Sequence, residues 1–448
     1  MLMSAPEFSY TPDYLRQLAS DVLRHARELG ATACEADVSE AFGQSVTVRK
    51  SEVETIEYNR DKGIGVTVYL GQQRGHASTS DFSPKALRAT VAAALSIARF
   101  TAPDPCAGLP EEKLLAKKAM DLDLHHPWNV SVEEAIDLAR RCEEAAFAVS
   151  SMVRNSEGAS VSTQQSQFVS ANSLGFMGGF PASRHYISCS VIAGEGEAMQ
   201  RDDWYSSNRH PAKLAAPETI GDYAARRALA RLGARRPKTC AVPVLFDAPL
   251  AVGLIGNLVQ AVSGGALYRK STFLLDSLGQ QIFPQHVQIS ERPHLKGALA
   301  SSPFDDDGVA THDREVVCDG VLQGYFLSTY SARKLGMQTT GNAGGSHNLI
   351  VHPGKDDFEG LLRKMGTGLL VTELLGQGVN YVTGDYSRGA AGYWVERGQI
   401  VYPVQEITIA GNLRDMFRNI VAVGNDVLVR GSKQVGSILV ERMTVAGC

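Results

Sequence analysis

The chain of 448 residues contains no CxxC pair, although it has seven cysteines. Cys34, Cys106, Cys142, Cys189, Cys240, Cys318 and Cys448 are scattered and odd in number. That excludes a disulfide framework and fits free thiols in a reducing compartment. Neither charge dominates. With 44 Lys and Arg against 48 Asp and Glu, the net charge is −4, which offers no bulk electrostatic handle for nucleic acid or an acidic membrane. Arg226-Arg227 and Arg235-Arg236 read as a solvated face rather than a binding patch. The start, MLMSAPEFSY, lacks a basic segment followed by an apolar core, so no signal peptide is visible. Long apolar runs are missing too. Ala248 to Val262 is interrupted by Asn257 and Gln260 and is short for a bilayer. The expectation is a cytoplasmic protein.

Catalytic motifs are equally sparse. There is no GxSxG elbow, and the eleven histidines show neither HExxH nor HxH spacing. His125 and His126 are adjacent, so their side chains diverge, and a surface loop is the expected setting. His347 and His352 fall on opposite faces of a strand. Asp305-Asp306-Asp307-Gly308 has consecutive acids where a calcium loop alternates them, so a turn or helix cap is expected. His185 and Cys189 share a strand face, the usual place of an inert core thiol. Gly341 to Gly345 lacks the GK[ST] of a phosphate loop. Ser387 reads as a turn serine.

What is present is helix and strand grammar in quantity. Thr11-Pro12 opens a helix whose apolar face runs from Leu15 to Leu29, with Gly30 ending it. Strands are predicted at 36–38, 46–49, 64–70 and 76–80, and Ser83-Pro84 caps a second helix. Proline and charge thicken from Thr101 to Pro127. Ser131 with Glu134 is a capping box for a helix to Val149. Strands follow at 160–171, 175–179 and 185–193, and Pro217 opens a helix to Leu232. Strands-then-helix thus occurs twice, which reads as two loosely similar lobes, about 1–100 and 128–234, within an N-terminal region 1–234. Arg235-Arg236-Pro237-Lys238 is a linker, and 239–448 is richer in glycine and β-branched residues. The fold class is α+β: N-terminal α/β lobes with a loose internal duplication, then a mainly β C-terminal domain with a few helices.

Tyr381 to Asp426 has the most complete local pattern. Thr383-Gly384-Asp385 predicts a tight turn, and the small residues Gly389 to Gly392 a close backbone approach. Tyr393-Trp394-Val395 predicts a strand and Arg397-Gly398 a hairpin turn. A second strand follows from Val401, with Pro403 near an edge. Leu413 to Val423 reads as a helix. In this order TGDYSRGAAGYW, the hairpin, YPV, ITIAGN and VGND resemble the C-terminal signature of the TldD/PmbA family. The likeness is weak before about Thr239 and close after it. It implies peptide hydrolysis by a zinc-dependent complex of two related subunits.

In the zinc-bearing members of that family, a helix at the place of Leu254–Lys270 carries His-Glu-x-x-x-His, two ligands and a general base. Aligned on Arg269-Lys270, this chain has Gly256 and Asn257 at the first His and the Glu, and Ala261 at the second His. The family's cysteine ligand beyond VGND is also missing, since Val427 to Val440 has no Cys and Cys448 is the only later one. The resemblance therefore implies a PmbA (TldE-type) subunit with no metal or cofactor of its own. Its expected partners are a TldD-type zinc-bearing subunit and a peptide or unfolded protein substrate, with a homodimer open to the isolated chain. Asp385, Tyr386, Arg388 and Gly389 are candidates to line a cleft for an extended peptide, or else they build a hairpin and an intersubunit contact. Two other readings stand beside this one. One is a non-proteolytic binding or regulatory protein acting on a DNA- or RNA-associated partner; the other is a standalone hydrolase using Ser387.

Overall fold

The protein is described by a computed structural model covering residues 7–447. Cys448 and the first six residues lie outside the described residues. Helix α1 (Pro12–Glu28) begins where Thr11 accepts a hydrogen bond from the Tyr14 amide, and it buries Leu15, Leu18, Ala19, Val22 and Ala26. Strands β1 (Ala33–Arg49), β2 (Glu52–Leu70) and β3 (Gln73–Thr79) form an antiparallel meander. Helix α2 (Pro84–Phe100), capped by Ser83, packs back onto it. The pattern then repeats. Helix α3 (Val132–Val149) opens with the Ser131–Glu134 capping box. It is followed by β4 (Val153–Asn172), β5 (Met177–Gly178), β6 (Pro181–Ala193) and β7 (Gln200–Asn208), then α4 (Pro217–Ala230).

The two halves share one sheet. β1 and β4 pair antiparallel from Glu35↔Asn172 to Val48↔Ala159. This produces a seven-stranded sheet of order β3-β2-β1-β4-β6-β7, with β5 beside β4. Helices α1 and α2 cover one core on it, around Val66 and Ala171. Helices α3 and α4 cover a second, around Val161 and Ile187.

The short strands expected at 36–38, 46–49 and 64–70 are in fact two long ones. Polar residues dilute the apolar signal between them. In β1 the buried positions include Glu40 and Gln44, while residues 52–62 of β2 are exposed on both faces. Strand β7 escaped the sequence reading because Trp204 and Tyr205 sit among charged and hydroxyl residues.

The C-terminal domain opens with β8 (Cys240–Phe246), α5 (Ala248–Ala261) and α6 (Gly264–Tyr268). Then come β9 (Ile289–Glu291), β10 (Arg314–Cys318), β11 (Val321–Leu322), α7 (Thr329–Leu335), β12 (Leu349–Val351) and α8 (Phe358–Met365). Next are β13 (Gly368–Leu375), β14 (Asp385–Glu396), β15 (Gln399–Asn412) and α9 (Leu413–Arg418). The last elements are β16 (Ile420–Val423), β17 (Leu428–Val429), β18 (Lys433–Val435) and β19 (Ile438–Ala446). One six-stranded sheet has the order β11-β10-β9-β12-β18-β17. The other has the order β15-β14-β13-β8-β19-β16, and a further β15–β19 pairing closes five of its strands into a ring. One face of this ring packs with α5 and α9 through Phe246, Val371, Ile409 and Val440. Leu245, Leu370 and Leu439 face α8 instead. Clustered, mostly antiparallel strands make the class α+β.

At the β14–β15 hairpin Arg397 and Gly398 both have positive φ, 52° and 73°, as a two-residue turn of this kind needs. Pro403 faces Tyr393 of β14 and lies outside the Thr408–Ala410 pairing with β19. The helix expected over 413–423 is shorter. It stops at Arg418, and Ile420–Val423 becomes β16 on β19, where β-branched residues suit the ladder. Among the described residues no helix is long and apolar enough to cross a membrane.

Candidate functional site

Helix α5 carries the positions that the family resemblance singled out. Asp247 caps it by accepting from the Ala248 amide. Ala251, Leu254, Ile255, Leu258 and Ala261 turn inward. The other side presents Gly253, Gly256, Asn257 and Gln260, which are half-buried or exposed. Two interior glycines cost the helix about 1 kcal/mol each relative to alanine, so this face is kept small against its own propensity. A Cβ built on Gly256 would stand 4.0 Å from Cε of Lys433 in β18, and burial pulls the Lys433 ammonium below its usual pKa. Asn257 Oδ1 accepts a 2.8 Å hydrogen bond from the Tyr381 hydroxyl.

Tyr381 leads into β14, where residue alternation divides the four cleft candidates. Asp385 is exposed. It accepts from Thr383 Oγ1 at 2.6 Å and from Asn412 Nδ2 at 3.2 Å, which hold its carboxyl below the usual range. Tyr386 is 3% exposed and belongs to the core, where burial pushes its phenol up to about 12. Arg388, on the same face as Tyr386, lies close enough to Tyr381 and Tyr386 to oppose the rise in both phenols. Its Nε is buried without a hydrogen-bond partner. Gly389 sits against the last residue of β13, where an added Cβ would stand 3.2 Å from Leu375 Cβ. The structure thus gathers Asn257, Tyr381, Tyr386 and Arg388 into a brace between α5 and the signature strand, and leaves Asp385 to pin the turn. Ser387 is exposed, and its amide donates to the Gly378 carbonyl.

The remaining sequence candidates have structural partners. His185 is fully buried between Thr163 Oγ1 (2.9 Å) and the His126 carbonyl (2.8 Å). Cys189 lies in the core, with its thiol pushed up by a hydrogen bond with the Cys142 thiol and by burial. His125 meets Gln165, and His352 meets Ser290 Oγ at 2.6 Å. The loop 341–345 serves Glu291. Asn342 Nδ2 (2.9 Å) and the His347 amide (2.7 Å) donate to its Oε1, and Arg314 Nε donates to Oε2 at 2.6 Å. Burial would raise the Glu291 carboxyl, but His347 and Arg314 outweigh it and hold it at about 2. Next to that loop, Gln260, Ser263, Tyr268, Tyr330, Gly344 and Gly345 line a cavity of about 350 Å³ beyond the end of α5.

Residues 239–447 match the PmbA/TldA metallopeptidase C-terminal domain, 125–232 its central domain and 34–98 its domain 1. The chain belongs to the PmbA/TldD metallopeptidase family. It is 50% identical to the metalloprotease PmbA of Escherichia coli O157:H7 over 435 residues, covering 96% of this chain and 97% of that protein. A protein from Bacteroides thetaiotaomicron described as a modulator of DNA gyrase superposes with a TM-score of 0.92 at 26% identity, covering 98% of this chain and all of that one. TldE from Thermococcus kodakarensis shares the fold, with a TM-score of 0.84 at 19% identity over 96% of this chain and all of that one.

Within the PmbA/TldD frame the side chains at the zinc positions do not fit the metal. Around α5 they offer an amide, phenols, a guanidinium and an ammonium. No group of three His, Cys, Asp or Glu among the described residues is placed to hold a metal. Lys433, with its Cε 4.0 Å from a Cβ built on Gly256, brings a cation to this face, whereas a zinc site takes anionic or neutral donors. Nor can the second ligand be restored by substitution alone, because Ala261 is fully buried. Ala261→His is expected to destabilise the protein by about 2 kcal/mol or more through overpacking and a buried imidazole. Urea unfolding would show it, and an unchanged midpoint would contradict that packing. Lys433 had no signal in the sequence, since only the distant pairing of β18 with β12 brings it to α5.

Proposed function

We propose that this chain is the zinc-free, non-catalytic subunit of a TldD/PmbA-type peptidase, acting in the cytoplasm on peptides and unstructured proteins. A TldD-type partner supplies the metal, its ligands and the base that activates water. This chain completes and encloses the partner's active site. What supports the reading is α5, where the family resemblance sets Gly256, Asn257 and Ala261 at the places of two histidines and a glutamate, and where Asn257 is tied to Tyr381. A related pair with one degenerate site keeps its interface packing after one centre is lost. Arg388, with a buried Nε to spare, is the cleft candidate best placed to meet a peptide carbonyl; Tyr386 works from beneath it.

The test is zinc content and hydrolysis of an unstructured peptide, for the purified chain and for the same chain mixed with a TldD-type protein of its organism. The expected result is far less than one zinc per chain and no hydrolysis alone, with activity gained on mixing. Near-stoichiometric zinc with chelator-sensitive hydrolysis by the chain alone would overturn the proposal. A stable unrelated partner and no gain on mixing would favour a non-proteolytic regulatory role.

A further inference from the structure

A polar cavity of about 370 Å³ opens where the first half of the N-terminal region meets the C-terminal domain. Glu35 of β1, Tyr69 of β2 and Arg74 of β3 form one side, and Asp307, Thr329 and Tyr330 of the C-terminal domain form the other. Several of its groups are already satisfied. The Tyr330 hydroxyl donates to Asp104 at 2.7 Å, and Lys334 donates to the same carboxylate at 3.0 Å. Thr329 is different. It is 7% exposed, and its Oγ1 is buried without a hydrogen-bond partner. Its amide donates to Asp307 Oδ2 at 2.8 Å, so residue 329 is held against that carboxylate, and both line the cavity. Across the cavity, Glu35 receives only the Tyr69 hydroxyl, at 3.1 Å.

The local charge is unbalanced. Among the described lining residues Arg74 is the only cation. Burial first, and then the charge of Asp307, push the Glu35 carboxyl up to about 7; Asp37 adds to the rise, while Tyr69 and Arg74 oppose it. Behind Asp307, burial and the same charge push Asp305 up to about 7 despite three amide donors. Such a wall favours a cation. No cluster suited to a metal occurs among the described residues. Two carboxylates and one hydroxyl are instead three acceptors, the number a primary ammonium can donate to.

We propose that this cavity binds a primary ammonium group, held between Glu35 and Asp307 with the Thr329 hydroxyl as third acceptor. Two sources share that chemistry: the α-amino terminus of a peptide and a free aliphatic amine. The site is separate from α5, and it does not depend on peptide processing. Binding takes the proton off Glu35, so an amine that stays charged binds more tightly at pH 8 than at pH 6 and releases protons near pH 7.

The test is titration calorimetry on the full-length protein with tri-alanine, N-acetyl-tri-alanine and n-butylamine, in buffers of different ionisation heat. The amines are expected to bind, with the acetylated peptide at least about tenfold weaker. Glu35→Gln should weaken butylamine by about tenfold and abolish proton release, and Thr329→Val should weaken it severalfold. Tri-alanine much tighter than butylamine identifies a peptide terminus as the ligand, and equal affinities identify the amine alone. Equal binding of free and acetylated peptide, no amine binding at about 10 mM, or full affinity in folded Glu35→Gln would each overturn the proposal. If Glu35→Gln does not fold, Thr329→Val and the proton release of the unsubstituted protein decide the matter.

Discussion

Glu291→Ala is expected to destabilise the protein by about 3–5 kcal/mol, the usual cost of removing one member of a buried ionic cluster. Glu291 is 2% exposed in β9 and accepts from Arg314, Asn342 and the His347 amide, with the His347 ring 3.2 Å away. Arg314 already leaves Nη2 buried without a partner. Without the carboxylate, the guanidinium is left uncompensated over the Phe326 ring, 4.8 Å from its centroid. The pH dependence has a definite sign. The carboxyl is held at about 2 in the folded protein, below the ~4.3 of an unfolded chain. Its stabilisation is therefore complete above that unfolded value and is lost as pH falls through about 2. Urea unfolding of the protein and of Glu291→Ala should converge as pH falls from 7 towards 2. A difference below about 1 kcal/mol at pH 7 would contradict the cluster as described.

Gly392→Ala is expected to cost about 3 kcal/mol or more, a large effect for one methyl group. An added Cβ would lie 1.9 Å from the Leu370 carbonyl oxygen and 3.0 Å from Val371 Cα. Both are backbone atoms of β13, so no side-chain rotation relieves the contact. The bulges at Ala390/Gly392 in β14 and Val371/Glu373 in β13 meet at the same point. The strands must separate there, and the ring of five strands opens with them. Circular dichroism melting and hydrogen exchange along β13 and β14 would report this, and native protection in the variant would sink it. Gly389 faces a side chain at 3.2 Å, so the same substitution there should be milder.

Much of the fold was legible because its signals are local. Thr11, Ser83 and the Ser131–Glu134 box cap their helices, and each needs only a side chain and an amide three residues away. Arg397-Gly398 marked the hairpin for a similarly short-range reason. The length of β1 and β2 was not legible, since Glu40, Gln44 and residues 52–62 are strand only by virtue of pairing. The end of α9 was misread because the Ile420–Val423 run suits either structure until β19 supplies a ladder. At the site, Gly256, Asn257 and Ala261 could be located by family likeness, but Lys433 and Tyr381 reach them through tertiary contacts. Alternation along β14 could have separated Asp385 from Tyr386 and Arg388 in advance. Nothing local pairs Glu35 with Asp307, which meet only when two parts of the chain dock.

The β1–β4 pairing also sets a waiting time. Val48 is partnered by Ala159, and Glu35 by Asn172, more than a hundred residues downstream. A ribosome adding about 5–20 residues per second leaves one side of β1 bare for roughly 6–25 seconds. During that interval the nascent chain presents the β1–β2 hairpin as an open template, alternately apolar along β1, before its own complement exists. The acidic and basic side chains of the exposed β2 arm, Glu52, Glu54, Glu57, Arg60, Asp61 and Lys62, discourage one flank of that template from recruiting a neighbour. The other flank has only speed to protect it. Slowed translation between residues 100 and 150 should therefore lower the yield of native protein without any change in its sequence.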